Sequence, residues 1–256
     1  MITKYDQRRY LYCVKDIQSQ IDHRRIDIKK VGVKTITYPV TVLDKSRKEQ
    51  KTVASINMFV NLPHQFKGTH MSRFIEILNR FHGRIDIKCF KKILEEMKEK
   101  LDAETAHMEI AFPFFLQDYH SVSSLAIKCY DCLMYGSLDS DDDLRLDISV
   151  PVSVPISGRV DDLKRNLGII EKIMVSVRFK RFMWLEDLID MVEACVKEEA
   201  SRHDFPGEPM ETLLQKLAAR FERRQELSWY SLTIESDYRD CRLFTGIRSD
   251  ESYNPW

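Results

Sequence analysis

The chain has 256 residues, 43% of them hydrophobic, and its 40 basic residues balance 40 acidic ones to a formal net charge of zero. That length supports one large core or two smaller ones, and a neutral chain is not held to nucleic acid or to a membrane surface by bulk electrostatics. The opening segment Met1–Lys15 is rich in tyrosine and arginine without an apolar run. No stretch nears the roughly 20 apolar residues of a membrane span, so a cytoplasmic protein is expected.

In chain order, an arm over residues 1–30 leads to a strand, Val31 to Leu43, with Ile36, Tyr38, Val40 and Val42 alternating. The polar segment Asp44 to Gln50 reads as a loop, and a second strand places Ala54, Ile56, Met58, Val60 and Leu62 on one face. A helix follows with Met71, Phe74, Ile75, Leu78 and Phe81 at the spacing of one helical face. After a turn at Gly83, Asp86 caps a second helix that turns Ile87, Phe90, Leu94, Met97 and Leu101 inward. Two further strands are expected from Met108, Ile110, Phe112 and Phe114, and from Leu125, Ile127, Cys129 and Leu133.

The acidic stretch Ser137 to Asp143 interrupts this pattern, which then restarts. Leu144 to Ile156 alternates, a strand carries Ile173, Val175, Val177 and Phe179, and two helices bury Leu185, Leu188, Ile189 and Val192, then Met210, Leu213, Leu214, Leu217 and Phe221. Tyr230, Leu232 and Ile234 begin a last strand. Each half reads strand, strand, helix, helix, strand, as expected of tandem copies of one module, at residues 31–138 and 139–256. Antiparallel sheets with paired helices on one face leave edges open, so an oligomer with a barrel-like assembly, a dimer or tetramer of this chain, is expected.

Six cysteines, at 13, 89, 129, 132, 195 and 241, are expected as free thiols in a reducing compartment. Cys129 and Cys132 have a CxxC spacing but sit in a strand-like run, where an offset of three sends the two thiols to opposite faces. A redox or zinc role is therefore not expected of them.

The stretch Phe66-Lys67-Gly68-Thr69-His70-Met71-Ser72-Arg73-Phe74 places two cations, a histidine and two hydroxyls at the mouth of the first helix. Helix-start amides beside Lys67 and Arg73 suit an anion or phosphate; a plain helix cap leading into a core helix is the alternative.

The residues from Phe66 to Leu78, with Asp16-Ile17-Gln18, Val31-Gly32-Val33-Lys34, Asn61-Leu62-Pro63, Phe112-Pro113-Phe114-Phe115 and Trp184-Leu185-Glu186-Asp187-Leu188, resemble the GTP cyclohydrolase type IB family. The resemblance covers nearly the whole chain. It implies an α+β fold of two tandem tunnelling-fold (T-fold) modules, and a metal-bound water that opens the guanine imidazole ring of GTP with loss of formate. It places the family's ligands and acid/base groups in a Cys-Pro-Cys-Ser segment, a Gly-Ala-His-Asn-Gln-Arg-Ser segment, glutamates around the penultimate helix and a late Ile-His-Asn-His segment.

This chain departs from the pattern at those places. It reads Val154-Pro155-Ile156-Ser157-Gly158, Asp161-Asp162-Leu163-Lys164-Arg165-Asn166-Leu167-Gly168, Arg202-His203-Asp204-Phe205-Pro206-Gly207 and Glu235-Ser236-Asp237-Tyr238-Arg239-Asp240-Cys241-Arg242. Glu211 alone matches a ligand position, and one carboxylate does not hold a catalytic zinc, which takes about three protein ligands. No metal or other cofactor is therefore expected; a rebuilt site from His203, Asp204, Glu211 and Cys241 is the alternative. Arg159, Lys164 and Arg165 add cations that face either solvent or an anionic ligand.

Two functional expectations follow. One is an enzyme acting on a purine-, pterin- or related phosphorylated ligand without zinc-dependent ring opening. Lys67, Thr69, Ser72 and Arg73 would bind that substrate, and His70, Glu211 and Cys241 would be the candidate catalytic groups, His70 first because its pKa lies nearest neutrality. The other is a non-catalytic structural or regulatory homologue that assembles with itself or with an active cyclohydrolase.

Overall fold

A computed structural model describes residues 28–62, 70–117, 127–139, 142–155, 169–200, 209–238 and 241–249. In these, the long alternating runs form β1 (Ile28–Asp44), β2 (Lys48–Leu62), β4 (Ala106–Gln117), β5 (Ile127–Leu138), β6 (Asp142–Pro155), β7 (Ile169–Phe179), β8 (Leu227–Tyr238) and β9 (Cys241–Arg248), with a two-residue β3 (Arg84–Ile85). All belong to one sheet in the order β3-β1-β2-β4-β5-β6-β7-β8-β9, antiparallel throughout except where β3 runs parallel to β1. Helices α1 (Met71–Arg80) and α2 (Ile87–Lys100) lie between β2 and β4, and α3 (Leu185–Ala200) and α4 (Pro209–Glu222) between β7 and β8.

One parity rule holds from β2 to β6. Even-numbered residues such as Ile56, Met58, Met108, Ile110, Phe114, Tyr130, Cys132, Leu146 and Ile148 are buried beneath the helices. Odd-numbered residues face the other way, because successive strand side chains alternate. The frame continues on the same side through Ile173, Val175 and Val177, then Leu232 and Ile234, because the registers of Ile148 opposite Val175 and Val175 opposite Leu232 set even residues against odd ones. Each such side chain, taken out of water, contributes about 1.5–3 kcal/mol.

Four details differ from the sequence reading. The β1–β2 connection is a tight turn rather than a loop to Gln50. Asp44 accepts from the backbone N–H of Ser46 (2.8 Å) and Arg47 (2.7 Å), and β2 restarts at Lys48. In α1 the buried face is Phe74, Ile77 and Leu78, while Met71 and Ile75 are exposed; a ten-residue helix with apolar groups on two sides is oriented by packing on α2 and β1, which periodicity does not record. In β5 the inward set is Tyr130, Cys132 and Met134, with Ile127 67% exposed. β9 has no clean alternation, with Leu243, Phe244 and Ile247 all exposed, and was not anticipated. Asp86 does cap α2, accepting from Cys89 N–H at 2.8 Å, and Cys129 is exposed while Cys132 is buried, on opposite faces as expected.

The hairpin tip is fastened to the start of α3. The Lys45 backbone N–H donates to Glu186 Oε1 (2.7 Å) and Lys45 Nζ to Asp187 (2.6 Å). Glu186 is buried, its Oε2 has no hydrogen bond, and burial pushes its carboxyl above the usual range.

Close packing of α2 on β5 requires Gly136. A Cβ there would lie 2.1 Å from Phe90 Cε1 and 3.1 Å from Leu94 Cδ1, and Phe90 is fully buried with no room to turn aside. Gly136→Ala is expected to lower stability by about 1–3 kcal/mol in urea denaturation, and Phe90→Leu added to it should return part of that loss. Simple addition of the two penalties would show that ring and glycine are not in contact.

Candidate active site

The segment singled out in the sequence is described from His70 onward; Lys67 and Thr69 lie outside the described residues. His70 is extended (φ −75°, ψ 114°) at the N-cap of α1, and its side chain makes no capping bond to the helix amides. The imidazole thus does not claim those amides, though the Arg73 N–H donates to the His70 carbonyl (3.1 Å). Ser72 is exposed in the first turn. Arg73 is half-buried and donates from Nη1 to the Lys100 carbonyl (3.0 Å), bracing α1 against the end of α2.

Glu211 is exposed in the first turn of α4, where a carboxylate is favoured by the helix dipole. Cys241 opens β9, opposite Tyr238 of β8. His203, Asp204, Arg159, Lys164 and Arg165 lie outside the described residues. α1 packs on β1 and α2, whereas α4 packs on β8 and β9. Six strands separate β1 from β9 in the sheet order, about 30 Å at the usual strand spacing. The two sets of candidate residues therefore stand on opposite flanks of one chain.

Between them runs the helix-free face of the sheet, which carries polar and ion-paired side chains alongside the exposed Val53, Phe115 and Ile127. The Thr35 backbone N–H, turned by a bulge in β1 and a φ of +58°, donates to Asn57 Oδ1 (2.8 Å), and Asn57 Nδ2 donates to Glu109 Oε2 (2.7 Å). His107 stands in register with Phe59 and Ser137, and Lys30 Nζ sits 4.0 Å over the Phe59 ring. Burial, and then the charge of Lys30, hold the His107 imidazole below its usual pKa, against the opposing pull of Asp139 and Glu109. Further along, Arg145 pairs with Asp147 (3.1 Å), Arg178 with Asp143 (2.6 Å) and Lys172 with Glu235 (3.1 Å). Sequence reasoning missed His107, Glu109 and Asn57, although each occupies an odd position in a strand whose even positions are core.

The match to known proteins is broad. The family model described as type I GTP cyclohydrolase folE2 matches residues 14–159, more than half of the chain. The GTP cyclohydrolase FolE2 of Syntrophobacter fumaroxidans is 41% identical over 242 residues, covering 86% of this chain and 93% of that protein, and the FolE2 of Syntrophus aciditrophicus is 42% identical over 238 residues with the same coverage. The chain belongs to the type I GTP cyclohydrolase FolE2 family.

Among solved structures, a hyper-thermostable AgUricase mutant aligns with a TM-score of 0.56 at 9% identity, over 88% of this chain and 94% of that one. A Bacillus sp. TB-90 urate oxidase aligns at 0.55 and 10% identity, over 87% and 99%. At those identities the likeness shows the fold alone: the tunnelling fold. Among the described residues no helix of this FolE2-family chain is long and apolar enough to cross a membrane.

Most of the segments where the resemblance places the family's metal ligands, including residues 156–168, 201–208 and 239–240, lie outside the described residues. Among the described residues no three His, Cys, Asp or Glu side chains are grouped so as to hold an ion, and Glu211 stands exposed on its helix. No step is therefore derived through a metal.

The His107 titration is open to direct measurement. Its NMR midpoint is expected below the ordinary 6.5 of histidine, leaving the ring neutral at pH 7, and Lys30→Met should raise that midpoint by removing a repulsive charge. Since the folded pKa is the depressed one, the group's contribution to stability is full above pH 6.5 and falls as pH drops through that value toward the folded midpoint. A midpoint at or above 6.5 that ignores Lys30 would refute the placement.

Proposed function

We propose that this FolE2-family chain binds a phosphorylated purine or pterin of the GTP class, at a site completed by a second copy, and does not carry out the metal-dependent ring opening that the resemblance implies. The observation that carries the first half is the separation of the candidate residues. His70, Ser72 and Arg73 on the β1 flank and Glu211 and Cys241 on the β9 flank meet only if one chain's first flank approaches another's last, which makes a homo-oligomer part of the site. Lys67, Thr69, Ser72 and Arg73 then bind phosphate or the heterocycle, and His70 is the first candidate for acid/base work. The arm at 1–30 and the modules at 31–138 and 139–256 are the units of this assembly.

The second half rests on the replaced segments. Segment 154–158 lacks the thiolate that the resemblance assigns; the other three lie beyond the span of the family match, 161–168 and 235–242 without the assigned histidines and 202–207 without a glutamate. A second reading draws on the Arg73 bond to Lys100: the retained α1 segment braces the subunit, and the chain is a non-catalytic partner in assembly.

GTP at about 100 times its dissociation constant adds roughly 2.7 kcal/mol to the native state, so the melting temperature should rise by about 5–10 °C. Purified protein incubated with GTP is expected to release no formate and to carry no stoichiometric metal by elemental analysis. One tightly held transition ion per chain together with formate release would overturn the proposal. Lys67→Ala and His70→Ala should abolish the thermal shift and leave the assembly mass unchanged; loss of assembly without loss of binding would favour the bracing role.

A further inference from the structure

We propose that the helix-covered side of the sheet carries a second, separate binding site for a planar aromatic anion, an aryl or heteroaryl carboxylate, phosphate or sulfonate. A cavity of about 580 Å³ opens between the start of α2 and the start of α3, over the central strands, within the 300–1,000 Å³ typical of small-molecule sites. Its floor is apolar, from Phe112, Met134, Leu146 and Met183. Its rim is cationic, from Arg84, Lys88, Lys180 and Arg181.

Three features distinguish this from a chance hollow under surface lysines. The rim cations are uncommitted: Lys88, Lys180 and Arg181 make no ion pair with another described residue, and Arg84 reaches only Glu49, at 3.7 Å with both side chains more than half exposed. Asp86, the one acidic group in the lining, is already engaged, its carboxylate accepting from Cys89 N–H at 2.8 Å. Lys180 and Arg181 project from a fixed turn, because their backbone N–H groups both donate to the Glu226 carbonyl (2.7 and 3.1 Å).

The apolar part favours a flat ring. Phe182, 53% exposed, stands edge-to-face with Trp184 at the mouth, with 4.8 Å between centroids at 84°. Both line the cavity, so a ring passing over the pair finds aromatic contact on the way to the floor. Guanidinium and ammonium donors above an apolar floor are complementary to an anionic group on an apolar body. The site lies on the opposite side of the sheet from the helix-free face and takes no residue from the proposed GTP-class site.

The probe is 1-anilinonaphthalene-8-sulfonate, an aromatic sulfonate with a flat naphthalene ring whose fluorescence rises in apolar surroundings, titrated into the full-length folded protein. One saturable site per chain is expected. Lys180→Glu with Arg181→Glu, both exposed and without an ion pair among the described residues, should weaken it by about tenfold or more, a change of at least 1.4 kcal/mol. The remote control Lys51→Glu should not weaken it, and the uncharged N-phenyl-1-naphthylamine should bind the rim variant and the parent alike. Saturating GTP should leave sulfonate binding in place, so failure here is distinguishable from failure of the proposed function. Affinity indifferent to the rim charges would overturn the site, as would tighter binding after deletion of residues 250–256, which would make the chain's own acidic, aromatic segment the occupant.

Discussion

The antiparallel ladder between β5 and β6, running from Asp131 opposite Ser149 to Leu138 opposite Asp142, is the constraint on which the rest of the molecule depends. It joins two strand-helix-strand series into one continuous sheet, so both must share a single in/out frame. Because the side-chain period in a strand is two, a slip of one residue in this ladder would turn every core group of one half toward the helix-free face. Even-numbered core residues on both strands, Tyr130, Cys132 and Met134 facing Leu146 and Ile148, hold the frame.

That frame fixes two surfaces of opposite character. On one side the helices leave a cleft where α2 and α3 fail to meet, and its floor is inherited from the core set: Phe112, Met134 and Leu146. On the other side the odd-numbered set supplies ion pairs and hydroxyl groups, as in Arg145 with Asp147. A chain of zero net charge thereby carries a local cationic rim on one side and balanced pairs on the other, which composition alone does not disclose.

Much of this was legible because long strands alternate. Runs such as Leu144 to Val152 and Met108 to Phe114 have enough repeats for the period to be unambiguous, and Asp86 announces its helix through a local bond to its own third residue. The misreadings occur where the deciding contact is distant. Ile75 looks inward by spacing, yet the groove offered by α2 and β1 takes Ile77 instead. Ile127 and Cys129 fit an alternating pattern as well as Tyr130 and Cys132 do, and only the partner strands choose between them. The tight turn after Asp44 depends on one carboxylate folding back on its own backbone, which a polar seven-residue stretch does not reveal. Family membership was legible from the α1 segment, whereas the sequence did not disclose that the candidate residues of α1 and those of α4 and β9 stand on opposite flanks of one chain.

The start of α3 links these levels. Glu186, one residue beyond the cavity wall formed by Met183 to Leu185, is held by the backbone of Lys45 at the tip of the β1–β2 hairpin. The bond keeps a carboxylate buried with one oxygen unpaired, an arrangement that costs free energy wherever the charge persists. Burial of Leu188, Ile189 and Val192 immediately after it offsets that cost, because those side chains reach the core only if α3 begins where Lys45 holds it. The position of the cavity's wall is thus set from a hairpin more than a hundred residues earlier in the chain, and the cleft is a consequence of how two helix pairs are anchored on one twisted sheet rather than of any local motif.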